Sequence, residues 1–519
     1  MLAQRSERQN SHVPNALEKI CGMPGNDVRH EARELFADVV TLRERVADQG
    51  RLTFRKWSPR IERSAFKVGA LNFAHYLALR RQDLRPLQRR LMALGLSSLG
   101  RAEGRVLASL DAVIVALCGL AGTPPPNGIR PPASRQFFRG EHLLAENCHK
   151  VFGEAQVGRV GRVLVTLGTE AAHDPQVICD LAAKGADAIR INCAHDNAEL
   201  WAKMIHHLRA AEKNVGRRIP VLMDIGGPKV RTEHVSTPAE QERLHVGDEL
   251  LLINGHESGA GEPPFRTGCS LPQVFARLDI GDPISIDDGK LRGRITRRTP
   301  GGLVARIEEG RAKGVRLKAE KGLNFPGVDL GLDPITARDG VDLDFIARNA
   351  DMVGYSFVET AAHVTRLQEE LAARRDDWRS LTLVAKIETP RAVRNLPDII
   401  VQAAGQQPLA IMIARGDLAI ELGFERLAEM QEEILWLCEA AHIPAIWATQ
   451  VLEGLVTKGL PSRGEMTDAA MAARAECIML NKGPNAAAGV AALARLLARM
   501  AEHQHKKTPT LRALRSWAD

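Results

Sequence analysis

A beat of eight short apolar runs restricts the fold of this chain more than any other feature. After Arg162 they fall at Val163–Leu167, Ala188–Asn192, Pro220–Asp224, Met352–Ser356, Leu381–Lys386, Leu409–Ala414, Ala445–Thr449 and Cys477–Leu480. Each has the length of a strand buried on both faces. Most of the gaps hold an amphipathic helix; in the longest, Leu427, Met430, Ile434 and Leu437 mark one face. Strands alternating with helices make a parallel sheet with right-handed crossovers. Eight of them predict a closed α/β architecture, a (β/α)8 TIM barrel. The alternative is an open doubly wound sheet.

One gap breaks the beat. Between Arg231 and Asn324 the chain reads as short β segments and Gly-rich turns, including LHVGDELLLING, DPISIDDGKLRGRIT and GLVARIEEG. An insertion of that length is a domain rather than a loop. It leaves from the C-terminal end of the third strand, where a β-rich lid would cover a barrel's active face and exclude water. The expected organisation is an N-terminal α-helical region with a Pro-rich linker over residues 1–150, a barrel over 151–232 and 321–505, an inserted lid over 233–320, and a tail over 506–519. Ala486–Met500 reads as the closing barrel helix.

In the N-terminal region, residues 1–27 are polar and dotted with Pro and Gly, and mobility is expected there. Helical spacing then appears at Leu35, Phe36, Val39, Leu42 and Val46, again at Leu84, Leu87, Leu91 and Leu94, and from Arg101 to Leu117. Seven arginines lie between Arg80 and Arg105 without an aromatic residue among them. That favours solvated helix faces over an anion or nucleic-acid patch, which would carry rings for stacking. Gly122–Pro132 reads as a stiff extended linker. No function follows for this region.

The chemistry sits where the strands end. Strand two runs into Arg190, Asn192 and His195; strand three into Asp224, Ile225, Lys229 and Arg231; strand four into Ser356 and Phe357. Strands five and six run into Lys386, Glu388, Arg415 and Asp417, and strand seven into Thr449. Catalytic residues of barrels come from the ends of several different strands. Glu388 and Asp417 suit one divalent cation, because magnesium takes one or two carboxylates and fills its octahedron with substrate oxygens and water. Cations beside carboxylates, with glycine backbone close by, are what phosphoryl transfer needs.

These segments also carry a resemblance. IRINCAHD, MDIGGPKVRT, ISIDDG, KGLNFPG, DMVGYSF, VAKIET, IARGDLAIELG and WATQVLEGL, from Arg162 to about Met500, resemble those of pyruvate kinases in the family's order. The resemblance implies phosphate transfer from phosphoenolpyruvate to ADP, giving pyruvate and ATP in glycolysis. It implies Mg2+, with Mn2+ as a substitute, on Glu388 and Asp417. Lys386, Thr449 and Arg190 would be the catalytic residues. Lys386 would lie against the transferred phosphoryl and the enolate oxygen, with Thr449 near the carbon that takes a proton. Ala414, Arg415 and Gly416 would bind the substrate through backbone, together with Thr449 and Lys386. Arg190, Asn192, His195 and Arg231 would face the nucleotide and phosphates. Asn192, Asp224, Ile225 and Lys229 mark the monovalent-cation region.

Departures from the family pattern matter here. Ala194 stands where potassium-binding members carry serine, and Lys229 where they carry glutamate. A lysine puts a fixed positive charge near the potassium position, so potassium independence is expected, with Asp224 pairing Lys229; the alternative is a lysine pointing into solvent. Gly226 replaces a usual lysine, and Asn481-Lys482-Gly483-Pro484 a usual Ser-Gly-Glu-Thr, which bears on phosphate contacts and activity. The chain ends where the family's C-terminal regulatory domain usually begins, so sugar-phosphate activation is not expected. Two other functions compete: a non-catalytic sensor of phosphoenolpyruvate, and a magnesium-dependent lyase or aldolase acting on pyruvate enolates.

Composition sets the outer bounds. The net charge of +7 is mild; it suits anionic ligands but does not argue for nucleic acid. Eight cysteines without a CxxC pair suggest neither zinc nor disulfides, and fit a reducing cytoplasm. No uninterrupted apolar run reaches about 18 residues, so no membrane-spanning helix is expected, and the N-terminus lacks the apolar stretch of a secretory signal. The partners expected are phosphoenolpyruvate and ADP or ATP, with no membrane, in a cytoplasmic homo-oligomer.

Overall fold

The computed structural model describes residues 25–510, apart from 157 and 254–262. The expectations for residues 1–24 and for the tail beyond 510 lie outside the described residues. Two compact units make up the chain.

The larger unit contains a closed barrel of eight parallel strands: β1 (Arg162–Thr166), β2 (Ala188–Asn192), β3 (Val221–Asp224), β4 (Met352–Tyr355), β5 (Thr382–Ile387), β6 (Leu409–Ala414), β7 (Ala445–Ala448) and β8 (Cys477–Leu480). Each follows its predecessor around the ring, and β8 pairs with β1 through Arg162 beside Cys477. Almost every strand residue is buried, because the inner face fills the barrel and the outer face meets helices. Leu164, Ala188, Leu222, Met352, Val384, Ala410, Ile446 and Cys477 share one cluster with Cys148, Val151 and Phe152, so the end of the helix Arg139–Phe152 belongs to the barrel's core. The open-sheet alternative is thereby excluded.

The insertion is a β domain with a core of its own. Seven strands between Thr232 and Asn324 form one sheet, and Leu250, Leu252, Phe265, Phe275, Ile284, Ile295, Leu303 and Ile307 pack together. Along Leu291–Thr299 burial alternates at first, the period-two pattern of a half-exposed strand. The chain enters at Val230–Arg231 and leaves beside it. Leu323 N–H donates to Val230 O at 2.9 Å, and Arg231 bridges to Gly322.

The smaller unit is helical. Gly25–Trp57 buries Leu35, Val39, Leu42 and Val46 along one face. The helix Lys67–Arg80 carries no one-sided periodicity, because Gly69, Ala70, Phe73, Ala74, Tyr76, Ala78 and Leu79 are buried around most of its circumference. The expectation about membrane-length segments needs correction. Glu103–Ala121 is 19 residues long, enough by length and composition to span a bilayer. Ser109 and Asp111 interrupt its apolar run. Here it is a core helix: Val106, Leu110, Val113, Ile114 and Leu117 are buried, and Asp111 accepts from Arg43 Nε at 2.9 Å. The nearby arginines are largely engaged internally. Arg90 meets Glu31, Glu34 and Asp38, Arg85 meets Asp83, and Arg105 meets Glu141 and the rings of Phe137 and Phe138.

Candidate active site

Lys386 and Glu388 stand two residues apart at the end of β5, so the strand's period of two turns both the same way. Lys386 Nζ donates to Glu388 Oε1 at 2.9 Å and to Ser356 Oγ at 2.7 Å, and lies 3.7 Å from Asp224 Oδ2. Burial opposes a charge on this ammonium, but Glu388 and Asp224 outweigh it and hold its pKa above the usual lysine value. The Glu388 pKa is raised as well, which here favours the neutral form. Burial raises its pKa despite Lys386, and the nearby charge of Asp417 raises it further. Its Oε2 accepts the Phe357 N–H at 2.6 Å.

Asp224 closes β3 in full burial. Arg190, from the neighbouring β2, donates Nε to its Oδ2 at 2.7 Å, adds a second contact through Nη2, and donates Nη1 to Thr166 Oγ1 at 3.2 Å. Burial pushes Asp224 up, yet Arg190 and Lys386 together hold it below the usual carboxylate range. Its Oδ1 is buried without a partner. A Cβ on Gly354 would fall 1.6 Å from that oxygen, so only glycine fits beside it on β4.

The helix Arg415–Leu422 starts where β6 ends. The Arg415 side chain is committed to the scaffold. It donates to Ala448 O at 3.0 Å and Thr449 O at 2.7 Å, grips Asp468 with both terminal nitrogens, and stacks over Trp447 at 4.7 Å. Gly416 N–H donates to Thr449 Oγ1 at 2.8 Å. Thr449 and Gln450 both have positive φ, +65° and +56°. For a β-branched residue that is a strained conformation of the kind concentrated at functional sites.

The monovalent-cation region is arranged differently from expectation. Lys229 does not pair with Asp224; its Nζ donates to Asp417 Oδ1 at 3.0 Å. Asp224 is fully buried, with Arg190 on its Oδ2 and Gly354 packed against its Oδ1, and the turn through Gly227 (φ +67°) carries Lys229 towards β6. Ile225 O accepts from Ser356 Oγ at 2.8 Å, and Asn192 Oδ1 accepts the Ala194 N–H at 3.2 Å. His195 is exposed, its pKa lowered by partial burial and then by the charge of Lys482. Arg231 Nη1 donates to Glu320 O at 2.9 Å, at the base of the lid.

Sequence reasoning missed Asp339 and Glu421. Asp339 holds the Gly226–Gly227 turn, and its signal was a capping box, Thr336-Ala337-Arg338-Asp339, directly after the lid. Glu421, one helical turn beyond Asp417, accepts the Gly327 N–H at 3.1 Å, and burial pushes its carboxyl up to about 7. Spacing on the helix was its sole signal.

Among the described residues no group of three or more His, Cys, Asp and Glu gathers as a metal nest. Two carboxylates, Glu388 and Asp417, lie near enough for the charge of one to raise the pKa of the other. That donor set fits a hard cation of the magnesium type, which needs little more from the protein.

Strand ends, charged rim and inserted β domain place the chain in the class of lidded (β/α)8 barrels. Comparison with known proteins narrows this class. The family description "Pyruvate kinase, barrel domain" matches residues 159–491. A pyruvate kinase of Agrobacterium vitis is 32% identical over 328 residues, which are 62% of this chain and 65% of that protein. One from Aeropyrum pernix is 31% identical over 308 residues, 59% and 62% of the two chains. Human pyruvate kinase PKLR is 29% identical over 358 residues, 66% of this chain and 58% of that one. The chain belongs to the pyruvate kinase family. It spans less than two thirds of the length of these relatives.

Proposed function

We propose that this chain is a pyruvate kinase that needs no potassium. The observation that carries the reading is the setting of Lys386, a buried ammonium 2.9 Å from Glu388 and 3.7 Å from Asp224, with Asp417 alongside. In the reaction, the bond between phosphorus and the enol oxygen of phosphoenolpyruvate breaks while a bond to a terminal oxygen of ADP forms. The enolate left behind takes a proton at its terminal carbon and becomes pyruvate. Lys386 lies where its charge stabilises the enolate oxygen and the moving phosphoryl group. Arg190 adds a second cation on the same side, and its grip on Asp224 fixes the direction of its remaining donors. The Gly416 N–H and Thr449 sit at the carboxylate end; their mutual hydrogen bond opens when substrate arrives, and Thr449 then orients the proton for the enolate carbon. Arg231 and His195 face the nucleotide, with Asn192 behind them, and the lid over β3 excludes water. Glu388 and Asp417 would hold magnesium, or manganese in its place, which supplies charge neutralisation on the phosphoryl oxygens when bound.

Potassium independence is supported by Lys229, whose ammonium sits 3.0 Å from Asp417 and places a fixed unit charge at the rim. At that distance a unit charge is worth roughly 1–5 kcal/mol between water-like and surface-like dielectric. The test is turnover of phosphoenolpyruvate and ADP with magnesium, coupled to lactate dehydrogenase, in potassium and in tetramethylammonium buffers. Equal rates are expected. Binding of phosphoenolpyruvate without turnover would favour the sensor reading, pyruvate release without ADP the lyase reading, and strong potassium stimulation would remove the assignment to Lys229.

A further inference from the structure

Asp339 does two jobs with one carboxylate. The chain leaving the lid runs from Leu323 to Ile335 and then starts the helix Ala337–Asn349. Thr336 and Asp339 cap that helix: Asp339 N–H donates to Thr336 Oγ1 at 3.1 Å, and Asp339 Oδ2 accepts the Thr336 N–H at 2.9 Å and its hydroxyl at 2.6 Å. A capping box needs one of the two carboxylate oxygens. The other, Oδ1, turns away from its own helix and accepts the N–H groups of Gly226 at 2.9 Å and Gly227 at 3.3 Å. The residue is 2% exposed.

The turn it holds is the barrel-side root of the lid. Ile225 before it is fixed by its N–H on Gly354 O at 3.0 Å and by Ser356 Oγ on its carbonyl. Gly227 packs so tightly on Phe357 that a Cβ would fall 2.9 Å from the ring. Beyond it come Lys229 on Asp417 and Arg231 at the lid entrance. The entry and exit strands of the lid run side by side, so Gly227–Arg231 is one of the two connections by which the barrel carries the lid. Gly226 and Gly227 are half-buried, so without Oδ1 their amides would have only water to donate to, which leaves the turn without its tie to the Ala337–Asn349 helix.

We propose that Asp339 is a positioning residue for phosphoryl transfer: a hinge pin that ties the exit of the lid to its entrance and sets the places of Lys229 and Arg231. This rests on the pyruvate kinase reading. Hinge residues far from the chemistry change kcat and KM together, and a misplacement near 1 Å lowers rates by about 10²-fold.

The test compares Asp339→Ala, Asp339→Asn and Thr336→Ala in the full chain, by hydrogen exchange over Ile225–Arg231 and by kcat and KM for both substrates. Asp339→Ala is expected to speed exchange in that segment, to lower kcat about 10²-fold and to raise KM for ADP. Thr336→Ala weakens the same helix cap but leaves Oδ1 on the glycines, so its kinetics and its turn exchange should match wild type. Asp339→Asn keeps an oxygen for the glycines and should retain turnover despite a lower melting temperature. The proposal falls if Asp339→Ala leaves exchange in the turn unchanged, or if Thr336→Ala loses as much turnover. Should Asp339→Ala not fold, Asp339→Asn decides: retained turnover with a protected turn supports the pin, and lost turnover with a protected turn overturns it. A wild-type chain without turnover would instead defeat the pyruvate kinase reading, while the exchange comparison would still report on the pin.

Discussion

Replacing Glu421 with glutamine should change how stability depends on pH. The carboxyl sits one helical turn past Asp417, with Gly327 of the lid exit as its hydrogen-bond donor at 3.1 Å. Burial, then the charges of Asp417 and Glu359, outweigh that bond and push its pKa up to about 7 from the ordinary 4.5. Between those two pH values the folded chain keeps a proton that the unfolded chain has released. The stabilisation is therefore complete below about pH 4.5 and is lost as pH rises through about 7. A shift of about 2.5 units corresponds to about 3 kcal/mol at most. Glutamine still accepts from Gly327 but does not ionise. The variant should exceed wild type by under about 1 kcal/mol at pH 5 and by up to about 3 kcal/mol at pH 8. Urea midpoints of both proteins from pH 5 to 8 measure this directly. A difference that stays flat over that range, or shrinks as pH rises, would refute the account of Glu421.

Lys386→Met should abolish measurable coupled turnover, a loss of at least about 10²–10³-fold; turnover near wild type would remove Lys386 from the chemistry. Gly354→Ala drives a methyl onto Asp224 Oδ1, 1.6 Å away, and should cost about 1–3 kcal/mol of stability and most activity, read by melting and by the coupled assay; a stable, active variant would contradict the close approach. Lys229→Glu puts a further carboxylate beside Asp417, and turnover should then require added potassium. Equal rates of that variant with and without potassium would refute the fixed-charge argument.

The barrel was legible because each of its strands is a compact apolar run that breaks at charge. The eight observed strands begin and end within one residue of the runs read from the sequence, Ala188–Asn192, Leu409–Ala414 and Cys477–Leu480 without any shift. The helix Lys67–Arg80 was not legible, because a helix buried on most sides has no period to read. Nor was the partner of Lys229. It lies only five positions after Asp224, which made that pair look natural on paper. The positive φ at Gly227 and the prior claim of Arg190 on Asp224 send it instead to Asp417, 188 residues away. Asp339 and Glu421 were hidden for the same reason. Their partners are backbone amides of Gly226, Gly227 and Gly327, and no side-chain pattern records where an amide will point.

The rim balances three carboxylates against three cations, and the exposure of each pair decides which one can open. Asp224 and Arg190 have side chains 1% and 10% exposed; Glu388 and Lys386 have 1% and 13%. Separating either pair would strand a buried charge, which typically costs about 3–5 kcal/mol. Lys229 and Asp417 are 29% and 22% exposed, so water screens their parting. If Glu388 and Asp417 hold a divalent cation as proposed, Lys229 would be the partner most readily released, and Lys386 would keep its buried pair. The displaced ammonium stays on the short tether of Pro228–Arg231, whose other end Asp339 fixes at Gly227. Its charge would thus remain at the rim. The same lysine that neutralises Asp417 would then, in the proposed reaction, supply the monovalent charge, with its reach limited by the turn at Gly226–Gly227.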